Sequence, residues 1–314
     1  MKVLTLGLWA FGFAINKVLW ENNPEKIFYS FELNEEIKES VKNNRTHPYF
    51  FTGYFLPNNI ELIDNYDDII SEIDLIILAM PAQFVSWAVT SLQHKLKKWV
   101  TFLNLAKWID IKQNKTISQL LSESLEWKDY NYAVLSWWMI ASEVVEWKPL
   151  WADLWINNTA IGKNVQLMLQ NNNLQIKLQK DILNIEMYGS LKNIMAILAG
   201  YYEAKWLGKS SIGYYLVNFY DEMKGIVKLY WWNKEIDFSY YSLGWDIVAT
   251  CFWDSRNKYF WNLLWSGKNI TEVLDILKSE NKHAEGYETL KAVYNKIEDK
   301  EGFPIVKELY NKIV

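Results

Sequence analysis

The chain has 314 residues, half of them hydrophobic and 22% charged, with a formal net charge of −4. A weakly acidic chain gives no electrostatic reason to bind nucleic acid or an anionic membrane, and the length favours about two domains. One cysteine and three scattered histidines exclude an intrachain disulfide and make no zinc spacing. We therefore predict no metal site and a reducing, cytoplasmic location.

The N-terminal sequence MKVLTLGLWAFGFAI places an apolar run after a lysine, as a secretory signal does. The following NKVLWENNPEK offers no small-residue cleavage site. No uninterrupted apolar stretch approaches the roughly 20 residues of a membrane span. We predict neither a signal peptide nor membrane insertion.

Short apolar segments alternate with helical patterns along the first part of the chain. The predicted strands are residues 2–6, 26–32, 74–81, 100–108 and 132–137. This alternation predicts a parallel sheet with helices on both faces. Long helical patterns follow after about Asp181, including residues 213–230 and 286–297. The sequence therefore predicts an α/β chain, with a parallel-sheet domain at 1–184 and an all-helical domain at 185–314.

Residues 191–202, LKNIMAILAGYY, are apolar on every side of a helix that we expect to open after Gly189. That pattern is typical of a helix buried all round. The only charge in it is Lys192. A buried ammonium is costly to desolvate, so such a lysine is paired, is kept for chemistry, or extends to the surface from the first helical turn. The helical pattern alone leaves these alternatives open.

Gly7, Trp9 and Gly12 lie between the first strand and the first helix, where the dinucleotide fingerprint G-x-G-x-x-G belongs. The middle position is normally glycine because the cofactor pyrophosphate lies against that backbone at the helix N-terminus. An indole at Trp9 would occupy its place. Taken alone, the pattern also fits an ordinary strand-to-helix turn.

Several further segments, in order along the chain, resemble the bacterial type of NAD(P)-dependent glycerol-3-phosphate dehydrogenase. They are GLWAFGFAI, AMPAQ, NLAKWI, AVLSW with ASEV, YGSLKNIMAILAG, GWDIVATC, SRN, HAEGYETLKAVY and FPIVKELY. The resemblance implies a Rossmann-type domain, an all-helical substrate domain, and NAD or NADP as cofactor. It implies reversible hydride transfer between NAD(P)H and dihydroxyacetone phosphate, which gives glycerol 3-phosphate for phospholipid synthesis. It also implies a phosphorylated triose as the substrate and a homodimer.

The resemblance assigns roles residue by residue. Lys192, in LKN, matches the general acid/base, and Lys107, in NLAKW, matches a second active-site lysine. The implied substrate-binding residues are Lys107, Trp137, Asp246, Thr250, Ser255, Arg256 and Asn257. The implied cofactor-binding residues are Gly7, Trp9, Phe11, Gly12, Glu32, Pro81, Lys107, Ala141, Arg256 and Glu285.

Physical chemistry supports several of these roles. The guanidinium fork of Arg256 suits phosphate oxygens, and Asp246 is expected to orient Lys192. The second predicted strand ends at Glu32 without an arginine for a 2′-phosphate, which favours NAD over NADP slightly. Cys251 has no histidine nearby in sequence to activate it, so we expect it to be buried filler. Without the resemblance, Lys107, Arg256 and Glu285 would be interpreted as solvated surface groups.

Tryptophan stands where the family has glycine at one position after another, and the chain has 18 tryptophans against 13 glycines. The positions are Trp9, Trp99, Trp108, Trp137, Trp147, Trp206, Trp231, Trp232, Trp245, Trp261 and Trp265. Our hypothesis is that the source reads UGA as glycine, whereas the printed sequence reads it as tryptophan. The alternative is a catalytically inactive nucleotide-binding or dimerisation protein with real tryptophans. A related two-domain hydroxy-acid dehydrogenase is a third possibility, although SRN together with LKN favours a phosphorylated triose.

Overall fold

A computed structural model describes residues 1–106, 109–110, 113, 115–125, 129–137, 140–230, 240, 244–252, 255–280, 282 and 285–314. The chain forms two compact units, residues 1–110 with 115–185 and residues 111–114 with 186–314. The sequence analysis divides the chain into a cofactor-binding domain at 1–184 and a substrate-binding domain at 185–314. This assignment of functions stays a prediction.

The first unit is built on an eight-stranded sheet with the order β10-β9-β8-β5-β4-β1-β2-β3, beside a two-stranded β6-β7 pair. The strands are β1 (Val3–Leu6), β2 (Phe28–Phe31), β3 (Ile60–Leu62), β4 (Leu75–Leu78), β5 (Val100–Asn104), β6 (Ile109–Asp110), β7 (Lys115–Thr116), β8 (Tyr130–Trp137), β9 (Leu150–Ile156) and β10 (Leu174–Leu178). The helices are α1 (Ala10–Asn22), α2 (Glu35–Asn44), α3 (Ala82–Leu92), α4 (Ile117–Ser124), α5 (Ala141–Val145) and α6 (Thr159–Leu169).

The predicted parallel-sheet architecture is confirmed, with one difference at one end of the sheet. Every residue of β1 and β4 is buried, as expected for central strands covered on both faces. However, β8 and β9 pair antiparallel, and β10 then runs parallel to β9. In the described residues 140–149 between β8 and β9, the one helix is the five-residue α5, which is short for the crossover helix that a parallel neighbour needs.

The predicted strand at residues 100–108 is shorter in the structure. β5 ends at Asn104, whose Oδ1 accepts a hydrogen bond from the backbone N–H of Ala106 at 2.9 Å. Such a turn competes with the strand ladder for backbone groups. The apolar pattern alone did not reveal this stop.

The second unit is helical in its described residues. Its helices are α7 (Ile182–Ala204), whose first four residues belong to the first unit, α8 (Lys209–Tyr230), α9 (Gly244–Phe252), α10 (Arg256–Trp265), α11 (Ile270–Ser279), α12 (Glu285–Lys296) and α13 (Pro304–Ile313). Residues 190–202 of α7 are all buried, which confirms the prediction of a helix surrounded by protein. None of the described helices is long and apolar enough to cross a membrane.

The predicted start of this helix was wrong. α7 begins at Ile182 and continues through Gly189. A glycine inside a helix costs only about 1 kcal/mol relative to alanine, and the burial of α7 outweighs that cost. Gly189 therefore does not mark the helix N-terminus.

Candidate functional site

Lys192 lies in the buried part of α7, and its side chain is 8% exposed. Its Nζ donates to Oδ1 of Asp246 on α9 at 2.6 Å, and it lies 3.4 Å from Oγ1 of Thr250. The Thr250 hydroxyl also donates to Asp246 Oδ1, at 2.8 Å. Asp246 and Thr250 are four residues apart on a helix, so they lie on one face. Lys192 is thus buried and paired, and three predicted site residues come together.

This cluster has hydrogen-bonding capacity left over. An ammonium has three N–H donors, and Asp246 and Thr250 take two of those of Lys192. Asp246 Oδ2 is buried and has no hydrogen-bond partner among the described residues. An unsatisfied buried acceptor costs about 1–3 kcal/mol, more when it is charged. The cluster therefore offers one donor and one acceptor close together, which complements a carbonyl oxygen next to a hydroxyl group.

Cys251 follows Thr250 and is also buried. Burial raises the pKa of its thiol, and the nearby charge of Asp246 raises it further. A thiol held in its neutral form is a poor nucleophile. The structure agrees with the interpretation of Cys251 as buried filler.

The N-terminus of α10 carries three further predicted residues. Ser255 is the N-cap, and its Oγ accepts from the backbone N–H of Lys258 at 3.3 Å. Arg256, the first helical residue, is exposed, whereas Asn257 is buried. Arg256 is therefore the most exposed of the three, and Ser255 is half-buried.

The amide of Asn257 joins three helices. Its Nδ2 donates to Oδ1 of Asn193 on α7 at 3.0 Å, and its Oδ1 accepts from the N–H of Gly286 on α12 at 3.1 Å. A Cβ on Gly286 would lie 2.7 Å from both Asn193 O and Asn257 Oδ1, so only glycine fits there. One N–H and one lone pair of Asn257 remain for the substrate contact that the resemblance implies.

Asn193 and Gly286 were missed by the sequence analysis. Each is adjacent to a predicted site residue, Asn193 to Lys192 and Gly286 to Glu285. Glu285 is the first residue of α12, so its position depends on this close helix packing. The motifs LKN and AEG contained both missed residues, but no pattern indicated that they meet.

In the first unit, the turn after β1 is closely packed. Gly7 has φ of 94°, and a Cβ there would lie 2.7 Å from Ala79 O. A Cβ on Gly12 would lie 1.9 Å from Gly7 O. Trp9 has φ of −58°, which any residue adopts, and its side chain makes no capping bond to α1. The turn therefore brings the backbone close to the N-terminus of α1, where an anion site of a helix is formed.

The indole of Trp9 packs against three aromatic rings of residues 47–50. Its ring centroid lies 5.9 Å from that of His47, 5.6 Å from that of Tyr49 and 5.5 Å from that of Phe50. The close packing at Gly7 and Gly12 agrees with the outer glycines of the dinucleotide fingerprint. The side chain of Trp9 is the one departure from the fingerprint.

Glu32, at the end of β2, is held by backbone amides. Its Oε2 accepts from Leu8 N at 2.5 Å, and its Oε1 accepts from Leu33 N and Asn34 N at 2.8 Å each. A carboxylate has about four lone-pair sites, so one remains for a further donor such as a ribose hydroxyl. Glu32 is therefore fixed next to the first turn.

The other predicted cofactor residues are at helix starts or lie outside the described residues. Phe11 is half-buried in the first turn of α1, Pro81 precedes α3 as its N-cap, and Ala141 is the buried first residue of α5. The positions outside the described part of the chain are Lys107, Trp108, Trp231, Trp232 and the side chains of Trp137 and Trp245.

Three of the tryptophans at predicted glycine positions have left-handed backbone. Their φ values are 64° at Trp99, 59° at Trp147 and 62° at Trp206. Bulky L-residues rarely adopt this conformation, whereas glycine adopts it readily.

Two of these tryptophans end helices in the arrangement that normally carries glycine. After α7, Trp206 N donates to Glu203 O at 2.9 Å, and Leu207 N donates to Tyr202 O at 3.2 Å. This pair of bonds is a Schellman motif, in which the left-handed residue is usually glycine. Trp147 and Lys148 make the same two bonds after α5, at 3.3 and 3.0 Å. At Trp147 and Trp206 the backbone therefore has the conformation that glycine usually adopts at a helix C-terminus.

A mostly parallel sheet with closely packed glycines in the turn after its first strand is typical of the dinucleotide-binding domain of nicotinamide-dependent dehydrogenases. In this chain a helical unit with the buried Lys192–Asp246 pair follows that domain. The sequence profile of the NAD-dependent glycerol-3-phosphate dehydrogenase N-terminus matches residues 2–160, and that of the C-terminus matches residues 181–314. The chain belongs to the NAD-dependent glycerol-3-phosphate dehydrogenase family, which confirms the predicted resemblance.

Known glycerol-3-phosphate dehydrogenases are similar to this chain over most of its length. The glycerol-3-phosphate dehydrogenase (NAD(P)+) of Fusobacterium nucleatum is 25% identical over 293 residues, which cover 93% of this chain and 86% of that protein. The structure of the Plasmodium falciparum glycerol-3-phosphate dehydrogenase covers 100% of this chain and 91% of its own, with 22% identity and a TM-score of 0.90. The Coxiella burnetii enzyme covers 99% and 94%, with 19% identity and a TM-score of 0.86. The two structures show that the fold is shared.

Proposed function

We propose that this protein interconverts dihydroxyacetone phosphate and glycerol 3-phosphate with NAD(H) or NADP(H). The observation that carries the proposal is the buried Lys192–Asp246–Thr250 cluster, with its remaining donor and acceptor, in a chain of this family. Reduction of a ketone requires a hydride at carbon and a proton at oxygen. The nicotinamide cofactor supplies the hydride when bound, and the side chains perform the other tasks.

Lys192 is the proton donor in this proposal. Its third N–H donates to the carbonyl oxygen and transfers a proton as negative charge develops there, and in the reverse direction the neutral amine takes the proton back. Asp246 holds the ammonium through Oδ1 and balances its charge in the buried site. Asp246 Oδ2 accepts from the hydroxyl of the substrate. Thr250 fixes the orientation of Asp246.

Arg256 binds the phosphate of the triose, because a charged, exposed guanidinium suits phosphate oxygens. Ser255 and Asn257 hold the start of α10 and contact the substrate with their remaining capacity. The proposed substrate site is completed by Lys107 and the residue at position 137.

The parallel-sheet domain, residues 1–184, binds the cofactor in this proposal, and residues 185–314 bind the substrate. The pyrophosphate lies on the closely packed turn formed by Gly7 and Gly12, at the N-terminus of α1. Glu32 favours NAD over NADP because its carboxylate repels a 2′-phosphate. The other proposed contacts are Phe11, Pro81, Lys107, Ala141, Arg256 and Glu285.

We also propose that the protein made by its source carries glycine at the eleven tryptophan positions named above, because UGA is read there as glycine. The left-handed backbone at Trp99, Trp147 and Trp206 supports this. Trp261 supports it as well, because its indole Nε1 is buried and has no hydrogen-bond partner among the described residues. An unpaired buried donor costs about 1–3 kcal/mol, which a glycine would not incur.

The test compares two forms of the chain. The tryptophan form has the printed sequence, and the glycine form has glycine at all eleven positions. We expect the glycine form to bind NADH and to oxidise it with dihydroxyacetone phosphate, and the tryptophan form to do neither well. Inactivity of a folded glycine form would refute the proposed activity. Equal activity of the tryptophan form would refute the glycine proposal and leave the activity standing.

Mass spectrometry of the native protein gives an independent answer, since glycine and tryptophan differ greatly in mass. Tryptophan at position 9 of an inactive native protein would favour the alternative of an inactive nucleotide-binding protein.

We further propose that the enzyme works in the cytoplasm as a homodimer and supplies phospholipid synthesis. Light scattering of the purified glycine form tests the dimer.

A further inference from the structure

A second buried lysine of the helical unit lies outside the catalytic cluster. The side chain of Lys258, on α10, is 9% exposed, and its Nζ lies 2.7 Å from Oε2 of Glu203 on the last turn of α7. A buried ammonium is tolerated only when it is paired. Glu203 therefore holds the Lys258 side chain against α7.

The backbones of the two helices also approach closely at this point. A Cβ on Gly200 would lie 3.3 Å from the Cα of Lys258, so a larger residue at position 200 would require the backbone of α10 to shift by a few tenths of an ångström. Gly200 is three residues before Glu203, one helical turn along α7. The absence of a side chain at Gly200 lets the backbone of Lys258 pack closely against α7, and Glu203 fixes the side chain of Lys258. We call Gly200, Glu203 and Lys258 together the Lys258 seat.

The seat lies on the same two helices that carry Lys192 and Arg256, the two proposed parts of the substrate site. Lys192 and Glu203 are eleven residues apart on α7, which places them on nearly the same face and about 16 Å apart along the axis. On α10, Arg256 is two residues before Lys258, at the helix start. The position of Arg256 relative to Lys192 thus depends on how α10 rests on α7.

We propose that Lys258 is a positioning residue whose pairing with Glu203 sets the span between the phosphate-binding Arg256 and the proton donor Lys192. This inference rests on the proposed function. When the distance between Arg256 and Lys192 matches the substrate, Arg256 can bind the phosphate while Lys192 donates a hydrogen bond to the carbonyl oxygen. Dihydroxyacetone has the same carbonyl group but no phosphate, so its reduction does not depend on the span. The Lys258 seat therefore determines the preference for the phosphorylated substrate.

The test uses the glycine form as the parent and Lys258→Met as the variant, which keeps the length of the side chain and removes its charge. We expect kcat/KM for dihydroxyacetone phosphate to fall about tenfold or more, since small misplacements of a bound group have large effects. The value for dihydroxyacetone and the Kd for NADH should stay within about twofold. The matched control is Lys224→Met, which removes an exposed lysine paired with Asp221 at 2.8 Å. This control should leave kcat/KM unchanged for both substrates.

Two milder variants keep the test decisive if Lys258→Met does not fold. Lys258→Arg keeps the charge and should retain most of the preference for the phosphorylated substrate, whereas Glu203→Gln should lose it without loss on dihydroxyacetone. Equal losses on the two substrates, or no loss in either variant, would overturn the inference while the activity of the parent stands. A folded parent without activity on dihydroxyacetone phosphate would refute the proposed function and this inference together.

Discussion

Trp206→Gly is expected to stabilise the tryptophan form, although most replacements of a large residue by glycine destabilise a protein. Trp206 has φ of 62° and its side chain is 90% exposed. A left-handed conformation costs an L-residue about 1–2 kcal/mol, and glycine avoids this cost. The extra freedom of glycine in the unfolded chain takes back about 0.4–1 kcal/mol. Little burial is lost, so we expect a net gain of roughly 0.5–1 kcal/mol in the free energy of unfolding.

The assay is equilibrium unfolding in urea, followed by the circular dichroism of the helices. The midpoint should rise with an unchanged slope. The matched control is Trp87→Gly, which removes a tryptophan that is 55% exposed from the interior of α3 and should destabilise by about 1 kcal/mol. Trp206→Asn should give an intermediate value, because asparagine tolerates left-handed backbone. If Trp206→Gly destabilises as much as Trp87→Gly, position 206 does not require glycine and the backbone argument is wrong.

Two further predictions concern the glycine form, and a third, on His47, concerns the tryptophan form. Lys192→Ala should lower turnover about 10²-fold or more without changing the Kd for NADH, which stopped-flow and binding measurements check. Arg256→Ala should raise KM for dihydroxyacetone phosphate far more than KM for NADH, since a lost charged contact costs about 1.5–3 kcal/mol; steady-state kinetics showing equal effects would place Arg256 elsewhere. Burial lowers the pKa of His47 from 6.5 to about 4, so the unfolded chain binds the extra proton between these values and stability falls as the pH drops through that range. Between about pH 7 and pH 4.5, the free energy of unfolding of His47→Phe should therefore fall by about 2 kcal/mol less than that of the parent. Urea unfolding at both pH values measures this difference. If the midpoints of parent and variant shift equally with pH, His47 is not buried as a neutral imidazole.

The parts of the fold that the sequence predicted were those with strong periodicity. The apolar runs that became β1 and β4 are buried along their whole length, and residues 190–202 of α7 are buried all round. The direction of β9 was not predictable from its residues, because side-chain alternation is the same in parallel and antiparallel strands. The start of α7 was missed because its tertiary packing outweighs the low helix propensity of Gly189.

The candidate site was predictable only in part. The contact between Lys192 and Asp246 joins positions 54 residues apart, and the family resemblance, not spacing, suggested it. The bond from Leu8 N to Glu32 could not be foreseen, because it depends on how two strand ends meet. The Lys258–Glu203 pair was missed because a lysine in a polar helix start is indistinguishable from a solvated one in sequence.

The two ends of the large sheet limit how copies of this chain can associate. β3, at one end, has three residues, and β10, at the other, exposes Gln175 and Lys177 on one side. Very short strands and lysine-bearing strands resist pairing with a strand of another molecule. Continuation of the sheet from one copy into the next is therefore disfavoured at both ends, and so is aggregation by that route. The proposed homodimer is therefore expected to form through helical surfaces.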